Sequence, residues 1–450
     1  MIHAPDDPIA ALATPLAPSA LAVIRASGPG SLQILSRLLK GGPDLGVAPG
    51  HTLRRCTIRD GGEAVDEVVL AVYRAPRSYT GEDGAEIFCH GSIPVIQRIL
   101  SLLMRAGFRA AGPGEFTQRA FLNGRMDLTR AEAVNELVRA RTDRARALAL
   151  ERLGGAVERR IREARDLLAD LRAALEVMID HPDEDLGGDT IDEQALGRAA
   201  ALLEGLTRTY RRGRIYQEGV SVAIAGATNA GKSSLFNLLL RQDRAMVSEA
   251  HGTTRDWLEG TMSLEGIPVR LIDTAGLRDA SDPLEIEGIR RAREVARAAD
   301  LVLLIVDSTA GGAERGEEDL IGRLGEAGMV RAWNKVDLPD SRPAPPGFLP
   351  VSALTGQGIE ELVRAMVAAI LGGAAGETDA PLIDSERQRD LIQRALEALG
   401  RFREDRRQGT PLDLLAVDLA EALDALGEIT GEVTSEEILE RMFSRFCVGK

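Results

Sequence analysis

Residues 226–233 read GATNAGKS, a glycine-rich pattern that ends in a lysine and a hydroxyl residue. In such a loop the main-chain N–H groups point at phosphate oxygens and the lysine adds a compact positive charge. Lys232 would therefore contact phosphates, and the Ser233 hydroxyl could coordinate Mg²⁺. The β-branched run at 220–225 predicts a buried strand before the loop, and 234–240 predicts a helix after it. Strand, loop and helix in this order predict a phosphate-binding site.

Three further segments follow this loop in the order expected of a guanine nucleotide site. Residues 273–276 (DTAG) come after an apolar strand at 269–272, and 334–337 (NKVD) come after another apolar run. The Asp337 carboxylate can accept hydrogen bonds from both N1–H and N2–H₂ of guanine. Adenine would leave that carboxylate unsatisfied, which costs at least ~1–3 kcal/mol. Together with Ser352-Ala353, these segments predict GTP rather than ATP.

Lysine usage supports the same site. The chain has 55 basic residues, and only Lys40, Lys232, Lys335 and Lys450 are lysines. A lysine is expected to persist where a compact ammonium on a flexible stem cannot be replaced by a planar guanidinium. Two of the four lie in nucleotide motifs, and a third is the last residue, which indicates a site at the C-terminus.

Composition limits the remaining possibilities. A chain of 450 residues with 44% hydrophobic and 28% charged residues is typical of a globular protein of two to four domains. No apolar run is long enough to cross a bilayer, so no membrane partner is predicted. Three widely separated cysteines, Cys56, Cys89 and Cys447, are typical of a reducing cytoplasm.

The net charge of −14 argues against a protein that wraps nucleic acid over most of its surface. Any such contact is expected to be local or shared with a partner. Arginines cluster at 139–146 and at 159–165, and these clusters could form a basic track. The preferred interpretation is that they are solvated helix faces next to glutamates.

The pattern along the chain predicts a multidomain α/β protein. Residues 1–123 mix short β runs with helices and form an α+β module. Residues 124–217 and 378–450 are helical, and each carries an apolar stripe that it cannot bury alone. We expect these two segments to pack together into one helical domain, with a Ras-like P-loop α/β domain at 218–377 inserted between them. The last helix is expected to begin with a capping box at 434–437.

The hydrolytic residues are less obvious than the binding residues. Leu277 occupies the position where many small GTPases have a water-orienting glutamine. Arg255 and Arg278 are candidate arginine fingers. Asn229 could instead help bind a monovalent cation that neutralises transition-state charge, or it could simply tolerate a left-handed turn. Thr254, in the first switch loop, would complete Mg²⁺ coordination when the γ-phosphate is present.

Segments outside the nucleotide motifs carry a family resemblance. These are SYTGED at 78–83, PGEFT at 113–117, RAFLNG at 119–124, GTTRD at 252–256 and FCVGK at 446–450. On these segments the chain resembles the bacterial tRNA-modification GTPases of the MnmE (TrmE) family. The resemblance implies a homodimer built through folate-binding N-terminal modules, and nucleotide domains that meet when GTP and potassium are bound.

The same resemblance implies a reaction and a partner. A flavin-containing protein, MnmG, would join the chain in a heterotetramer. Together they would add a carboxymethylaminomethyl or aminomethyl group to C5 of the wobble uridine of certain tRNAs. A tetrahydrofolate derivative such as 5-formyl-tetrahydrofolate would supply one carbon.

The resemblance also assigns residues. It places K⁺ on Asn229, Ser248, Ala250 and Thr253, and Mg²⁺ on Ser233 and Thr254. It makes Glu285 the catalytic residue, which orients the attacking water through a bridging water. It places the folate derivative on Arg25, Glu86, Arg125 and Lys450. With the motifs above, it gives a GTP/GDP site formed by Asn229, Ala230, Gly231, Lys232, Ser233, Ser234, Ser248, Thr253, Thr254, Asp273, Gly276, Asn334, Lys335, Asp337, Ser352 and Ala353.

Two other hypotheses compete with a tRNA-modifying GTPase. A ribosome-assembly GTPase would share the nucleotide motifs and act as an RNA-binding switch, but it would explain neither the N-terminal module nor the 446–450 tail. A folate-binding scaffold with a vestigial GTPase would not require the full set of nucleotide motifs.

Overall fold

The computed structural model describes residues 6–41, 44–181, 191–242, 258–273, 297–310, 328–372 and 381–450. Contacts between Cα atoms divide the chain into two units. The first unit comprises 1–135, 152–192 and 397–450, and the second comprises 136–151 and 193–396.

The described residues contain twelve helices. In chain order they are α1 Ser31–Arg37, α2 Ile93–Ala106, α3 Glu115–Leu122, α4 Leu128–Arg139, α5 Asp143–Leu153, α6 Ala156–Asp180, α7 Glu193–Glu218, α8 Lys232–Gln242, α9 Ile359–Leu371, α10 Glu386–Arg407, α11 Leu412–Thr430 and α12 Glu436–Phe443. Helices α4, α5 and α10 each contain residues of both units.

The first unit contains a six-stranded sheet in the order β3-β4-β5-β2-β1-β6. Its strands are β1 Ile9–Leu12, β2 Ser19–Ser27, β3 Thr52–Asp60, β4 Glu63–Tyr73, β5 Gly84–Gly91 and β6 Arg109–Ala110. Neighbours are antiparallel except β1 and β6, which are parallel. Alternate residues such as Ile24, Leu70 and Ile87 are buried against α2, where Ile99 and Leu103 meet them.

Helix α6 packs against α11 within the first unit. The apolar stripe on α6 is buried from Val157 to Leu175 and includes the fully buried Ala164. An ion pair between Arg165 and Glu432 lies beside the α6–α11 contact.

The cap of the last helix differs from the prediction. Ser435, not Thr434, is the N-cap of α12, and its hydroxyl accepts a hydrogen bond from the Ile438 N–H at 3.4 Å. The Thr434 hydroxyl makes no hydrogen bond with a described residue. A one-residue shift is easily missed in sequence, because two adjacent hydroxyl residues have similar capping preference.

The second unit contains a six-stranded sheet in the order β12-β11-β10-β7-β9-β8. Its strands are β7 Val220–Ala225, β8 Leu258–Leu264, β9 Ile267–Asp273, β10 Leu301–Asp307, β11 Gly328–Asn334 and β12 Leu349–Pro350. All pairs are parallel except β8 with β9. The first six residues of β10 are buried, as a parallel strand covered on both faces requires. The carboxyl ends of β7, β9, β10 and β11 therefore lie at one edge, where ligands of such sheets bind.

Most of two helices from the predicted helical segment, α5 and α7, belongs to this second unit. The Thr142 hydroxyl, just before α5, donates to the Gly266 carbonyl at 2.7 Å. Gly213 of α7 lies so close to Ile383 that a Cβ would be 2.1 Å from its carbonyl oxygen. The predicted four-domain division stays a prediction. No helix in the described ranges has both the length and the apolar character needed to cross a membrane.

Candidate nucleotide site and N-terminal groove

The loop between β7 and α8 has the backbone of a phosphate cradle. Gly226 has φ 145°, and a Cβ there would lie 2.1 Å from the Ile305 carbonyl oxygen. Asn229 and Gly231 have φ 65° and 95°, so the chain turns through the left-handed region twice. Helix α8 begins at Lys232, which directs its free N-terminal N–H groups at the space enclosed by the loop.

The two side chains that end the loop are held in place by described neighbours. The Lys232 ammonium is 5% exposed and donates to the carbonyls of Gly226 at 3.0 Å and Ala227 at 2.7 Å. The Ser233 hydroxyl donates to the buried Asp273 carboxylate at 3.1 Å. A hydroxyl and a carboxylate in contact are the oxygen donors that Mg²⁺ prefers. Ser234 is exposed in the first turn of α8.

Asn334 joins three parts of the site. Its side chain is 1% exposed. The Nδ2 group donates to the Ala230 carbonyl at 2.8 Å, and Oδ1 accepts from the Ala353 N–H at 3.0 Å. The phosphate loop, the end of β11 and the loop after β12 are thus tied to one carboxamide. A Cβ on Gly231 would lie 2.1 Å from the Asn334 Nδ2 atom, so only glycine fits there.

Lys335 adopts a left-handed backbone with φ 69°, and its ammonium pairs with Asp307 at 2.6 Å. Burial acts to raise the pKa of the Asp307 carboxyl, but hydrogen bonds from Lys335 and from the N–H and hydroxyl of Thr309 hold it below its usual value. The Ser308 hydroxyl donates to the Lys335 carbonyl at 3.0 Å. These contacts fix the segment that contains Asp337.

The Asp337 carboxylate is half-buried and makes no hydrogen bond or ion pair with a described residue. It is therefore available to a ligand. The Ser352 side chain is fully buried, and its hydroxyl accepts from the Thr355 N–H at 3.1 Å, which shapes the loop whose Ala353 N–H is bound by Asn334. Described residues from every nucleotide motif therefore meet at one edge of the sheet.

Several predicted residues lie outside the described residues. They are Ser248, Ala250, Thr253 and Thr254 of the first switch, and Gly276 and Glu285 after β9, together with Arg255, Leu277 and Arg278. The prediction of K⁺ ligands therefore has structural information only for Asn229, whose side chain is exposed on the loop.

In the first unit, Arg25 and Glu86 face each other across β2 and β5. The Arg25 guanidinium donates to Glu86 Oε1 at 3.0 and 2.8 Å and to the Gly449 carbonyl at 3.1 Å. It also lies over the Tyr79 ring, 5.4 Å from the centroid. The Tyr73 hydroxyl donates to Glu86 Oε2 at 3.3 Å.

The C-terminal tail docks on the same sheet. The Phe116 N–H donates to the Lys450 carbonyl at 3.1 Å, and the Gly114 N–H donates to the Cys447 carbonyl at 3.3 Å. Gly449 has φ 90°, and a Cβ there would lie 2.7 Å from the Leu12 carbonyl oxygen. Burial and the nearby Arg25 charge lower the pKa of the Lys450 ammonium. The last residue thus lies in the electrostatic environment of Arg25 and Glu86.

Arg125 lines an open groove of about 370 Å³ in the first unit. The groove is lined by His51, Tyr73, Arg77, Ser78, Tyr79 and Arg125. Tyr73 and Tyr79 contact the Arg25–Glu86 pair from this groove. All four predicted folate residues are therefore placed around one region, although Arg25, Glu86 and Lys450 do not themselves line the groove.

Sequence reasoning missed a buried ionic network that uses the same family segments. Arg119, 3% exposed, pairs with Asp7, Glu82 and Glu115 at 3.0 to 3.2 Å. Burial acts to raise the pKa of the Glu115 carboxyl, but hydrogen bonds from Arg109 and Arg119 hold it below its usual value. Charged residues repeated in SYTGED, PGEFT and RAFLNG were the available signal. Their partners are distant in sequence, so the pairing was not predictable.

The arginine clusters favour the solvated-face interpretation. Arg146 pairs with Asp143, Arg160 with Glu163, and Arg162 with Glu158. Each of these three arginines has an acidic partner on its own helix, as expected of a solvated face, and the basic-track interpretation of the remaining clustered arginines stays a prediction.

Two protein-family models together match most of this chain. Residues 128–447 match the family model described as the MnmE helical domain, and residues 8–125 match the GTP-binding protein TrmE N-terminus. The tRNA modification GTPase MnmE of Moorella thermoacetica is 43% identical over 461 residues, which cover 99% of this chain and 100% of the relative. The chain belongs to the MnmE family of tRNA modification GTPases. The MnmE proteins of Treponema denticola and Aquifex aeolicus are both 41% identical, over 466 and 455 residues, and each alignment covers 99% of this chain and at least 98% of the relative.

Family membership decides between the competing hypotheses. This MnmE-family chain is a GTPase that acts in tRNA modification, and the ribosome-assembly alternative is set aside. The predicted fold class, an N-terminal module with a two-segment helical part and a P-loop α/β part, is confirmed.

Proposed function

We propose that this MnmE-family GTPase works with the flavin protein MnmG, in a heterotetramer, to add an aminomethyl-type group to C5 of the tRNA wobble uridine. A tetrahydrofolate derivative supplies one carbon, and GTP hydrolysis drives closure of paired nucleotide domains. The observation that carries the folate part of this proposal is the placement of Arg25, Glu86 and Lys450 beside a groove in the first unit.

The nucleotide half of the proposal rests on charge and main-chain geometry. Lys232 and the N-terminus of α8 neutralise the phosphates, and Asp337 accepts the guanine N–H groups. Ser233 and Asp273 are the side chains that would hold Mg²⁺. Mg²⁺ stabilises charge on the phosphate oxygens during hydrolysis. Thr254 would complete this site, and Glu285 would orient the attacking water.

Asn229 supports the potassium part of the proposal. Its exposed carboxamide projects from a left-handed position in the phosphate loop, next to where the β- and γ-phosphates would lie. K⁺ would neutralise transition-state charge there, with Ser248, Ala250 and Thr253 as its other ligands. GTP turnover should therefore be much faster in KCl than in NaCl, and Asn229→Ala should remove this preference. Equal wild-type rates in the two salts would contradict the assignment.

A folate derivative fits the chemistry of the groove. Tyr73 and Tyr79 offer aromatic surface for a pterin or aminobenzoyl ring. Arg125 offers a cation for a carboxylate. The Ser78 hydroxyl is buried and makes no hydrogen bond with a described residue, so a ligand amide could satisfy it. Titration calorimetry of the purified chain with 5-formyl-tetrahydrofolate tests this fit, and absence of binding would contradict it.

The complete function is tested in cells. Deleting the gene should abolish the wobble modification, as measured by mass spectrometry of tRNA nucleosides, and the wild-type gene should restore it. Arg25→Gln should fail to restore it while the purified variant retains GTP hydrolysis, because the folate side is lost and the nucleotide site is intact. Unchanged wobble uridines in the deletion strain would refute the proposed reaction.

The assembly is part of the same proposal. We propose a homodimer formed through the N-terminal modules, with domains at 1–123, 124–217, 218–377 and 378–450, in the cytoplasm. Light scattering of the purified chain should give twice the monomer mass without nucleotide. A monomeric mass would contradict this dimer.

A further inference from the structure

The groove of the first unit carries more positive charge than its structural contacts use. Arg77 and Arg125 both line it, and neither forms an ion pair with a described residue. Arg74, which forms an isolated β-bridge with Arg77, is different because its guanidinium pairs with the Asp83 carboxylate at 2.7 Å. Two unpaired guanidinium groups around one groove repel each other, and this repulsion is relieved when an anion binds between them.

The two tyrosines of the groove adjoin charges that are already balanced. The Tyr73 hydroxyl contacts Glu86, and the Tyr79 ring lies under the Arg25 guanidinium. The tyrosine wall therefore adjoins the neutral Arg25–Glu86 pair, whereas the remaining charge on the lining comes from Arg77 and Arg125. A ligand with a flat body and several carboxylates on a flexible tail matches a lining that offers both aromatic surface and excess positive charge.

The net charge of the whole chain shows why this local excess of positive charge matters. Its net charge is −14, so a non-specific attraction for polyanions is not expected from its overall field. The local pair of arginines must therefore provide any preference for added carboxylates. Both side chains are exposed, so they can reach a tail that extends out of the groove.

We propose that Arg77 is a specificity-determining residue of the folate groove, and that the groove selects folates with a tail of γ-linked glutamates. Arg77 and Arg125 pair with tail carboxylates beyond the first glutamate. This inference rests on the proposed folate-binding function. It adds a preference for tail length and a residue that the family resemblance does not assign.

The test measures affinity against tail length. The dissociation constants of 5-formyl-tetrahydrofolate with one and with three glutamates are measured by calorimetry at low salt on the full chain. An exposed arginine–carboxylate pair contributes about threefold, so two pairs predict roughly tenfold tighter binding of the triglutamate. Arg77→Gln should reduce this ratio to about threefold. Raising KCl should also reduce the wild-type ratio.

A matched control removes charge elsewhere in the same unit. Arg55, on β3, is exposed and pairs with Glu67 outside the groove, so Arg55→Gln should behave as the wild type. Equal wild-type affinity for the two folates, or an unchanged ratio in Arg77→Gln, would overturn the inference and leave folate binding intact. Failure of both folates to bind the wild type would overturn the proposed function as well.

Discussion

Replacing Asn334 by aspartate separates the two hydrogen bonds that this buried side chain makes. Aspartate has nearly the same size and keeps an oxygen to accept from the Ala353 N–H, now at 3.0 Å. It replaces the Nδ2 donor, 2.8 Å from the Ala230 carbonyl, with a second oxygen. An attractive contact between the base-binding segment and the phosphate loop therefore becomes a contact between two acceptors.

The expected magnitude follows from the burial of the site. A lost hydrogen bond costs about 0.5–1.5 kcal/mol, and a buried acceptor without a donor costs a further ~1–3 kcal/mol. The sum of roughly 2–4 kcal/mol corresponds to about 30- to 1,000-fold weaker binding of GDP, at 1.4 kcal/mol per factor of ten. Burial also favours the neutral acid, which can donate to Ala230. The loss of affinity should therefore shrink as pH falls from neutral towards the upper range of a buried aspartate pKa.

The assay is calorimetric titration of GDP into the wild type and Asn334→Asp, with circular dichroism to establish that each is folded. Asn237→Asp is the matched control. It makes the same chemical change at an exposed position on α8, so its GDP affinity should stay close to that of the wild type. If folded Asn334→Asp bound GDP within threefold of the wild type at neutral pH, the view that this carboxamide holds the site together would be refuted.

Three further predictions concern single residues. Asp337→Asn should weaken GDP binding by about tenfold to 100-fold and favour xanthine nucleotides, since an amide offers a donor to the xanthine carbonyl; an unchanged ratio of GDP to XDP affinity would contradict this. Gly231→Ala should abolish GDP binding, because its Cβ would lie 2.1 Å from the Asn334 carboxamide at a backbone φ of 95°, whereas Gly400→Ala, with open space around it, should not. Because the folded pKa of Glu115 is below its usual value of 4.5, its stabilising effect is present at neutral pH and is lost as pH falls through that lowered pKa. Thermal unfolding of Glu115→Gln should therefore depend less on pH below about 4.5 than the wild type does, and parallel curves would contradict this.

Local patterns were sufficient to predict the elements that carry the nucleotide site. The strand predicted at 220–225 is β7 with the same limits, and the loop after it leads into α8. Spacing within a motif fixes which residues share a loop. Parallel strand order then brings the ends of β7, β9 and β11 to one edge, so Ser233 and Asp273 meet although they are far apart in sequence.

Contacts between motifs were not predictable from one sequence. Nothing in NKVD indicates that its asparagine binds Ala230 and Ala353 rather than a ligand, because both partners are main-chain groups that any residue would present. The same applies to Arg119, which looked like a family marker and is a buried ion-pair centre. Side-chain pattern predicts which face of an element is buried. It does not predict which buried charge meets which.

The nucleotide site could be predicted from the sequence more completely than the groove of the first unit, for the same physical reason. A phosphate cradle is made mainly by the backbone, and a short glycine pattern determines that backbone. The eight consecutive residues 226–233 are therefore enough to predict it. The groove of the first unit is made by side chains from separate segments of the chain, and its neighbour Arg25 depends on Gly449, which is 424 positions away. The carboxyl-terminal residues therefore act as part of the N-terminal sheet's site. Removing residues 449–450 should weaken folate binding while leaving GDP binding unchanged, because the Arg25 guanidinium loses its carbonyl partner and the Lys450 charge is lost. Equal folate affinity of the truncated and full chains would show that residues 449–450 do not contribute to folate binding.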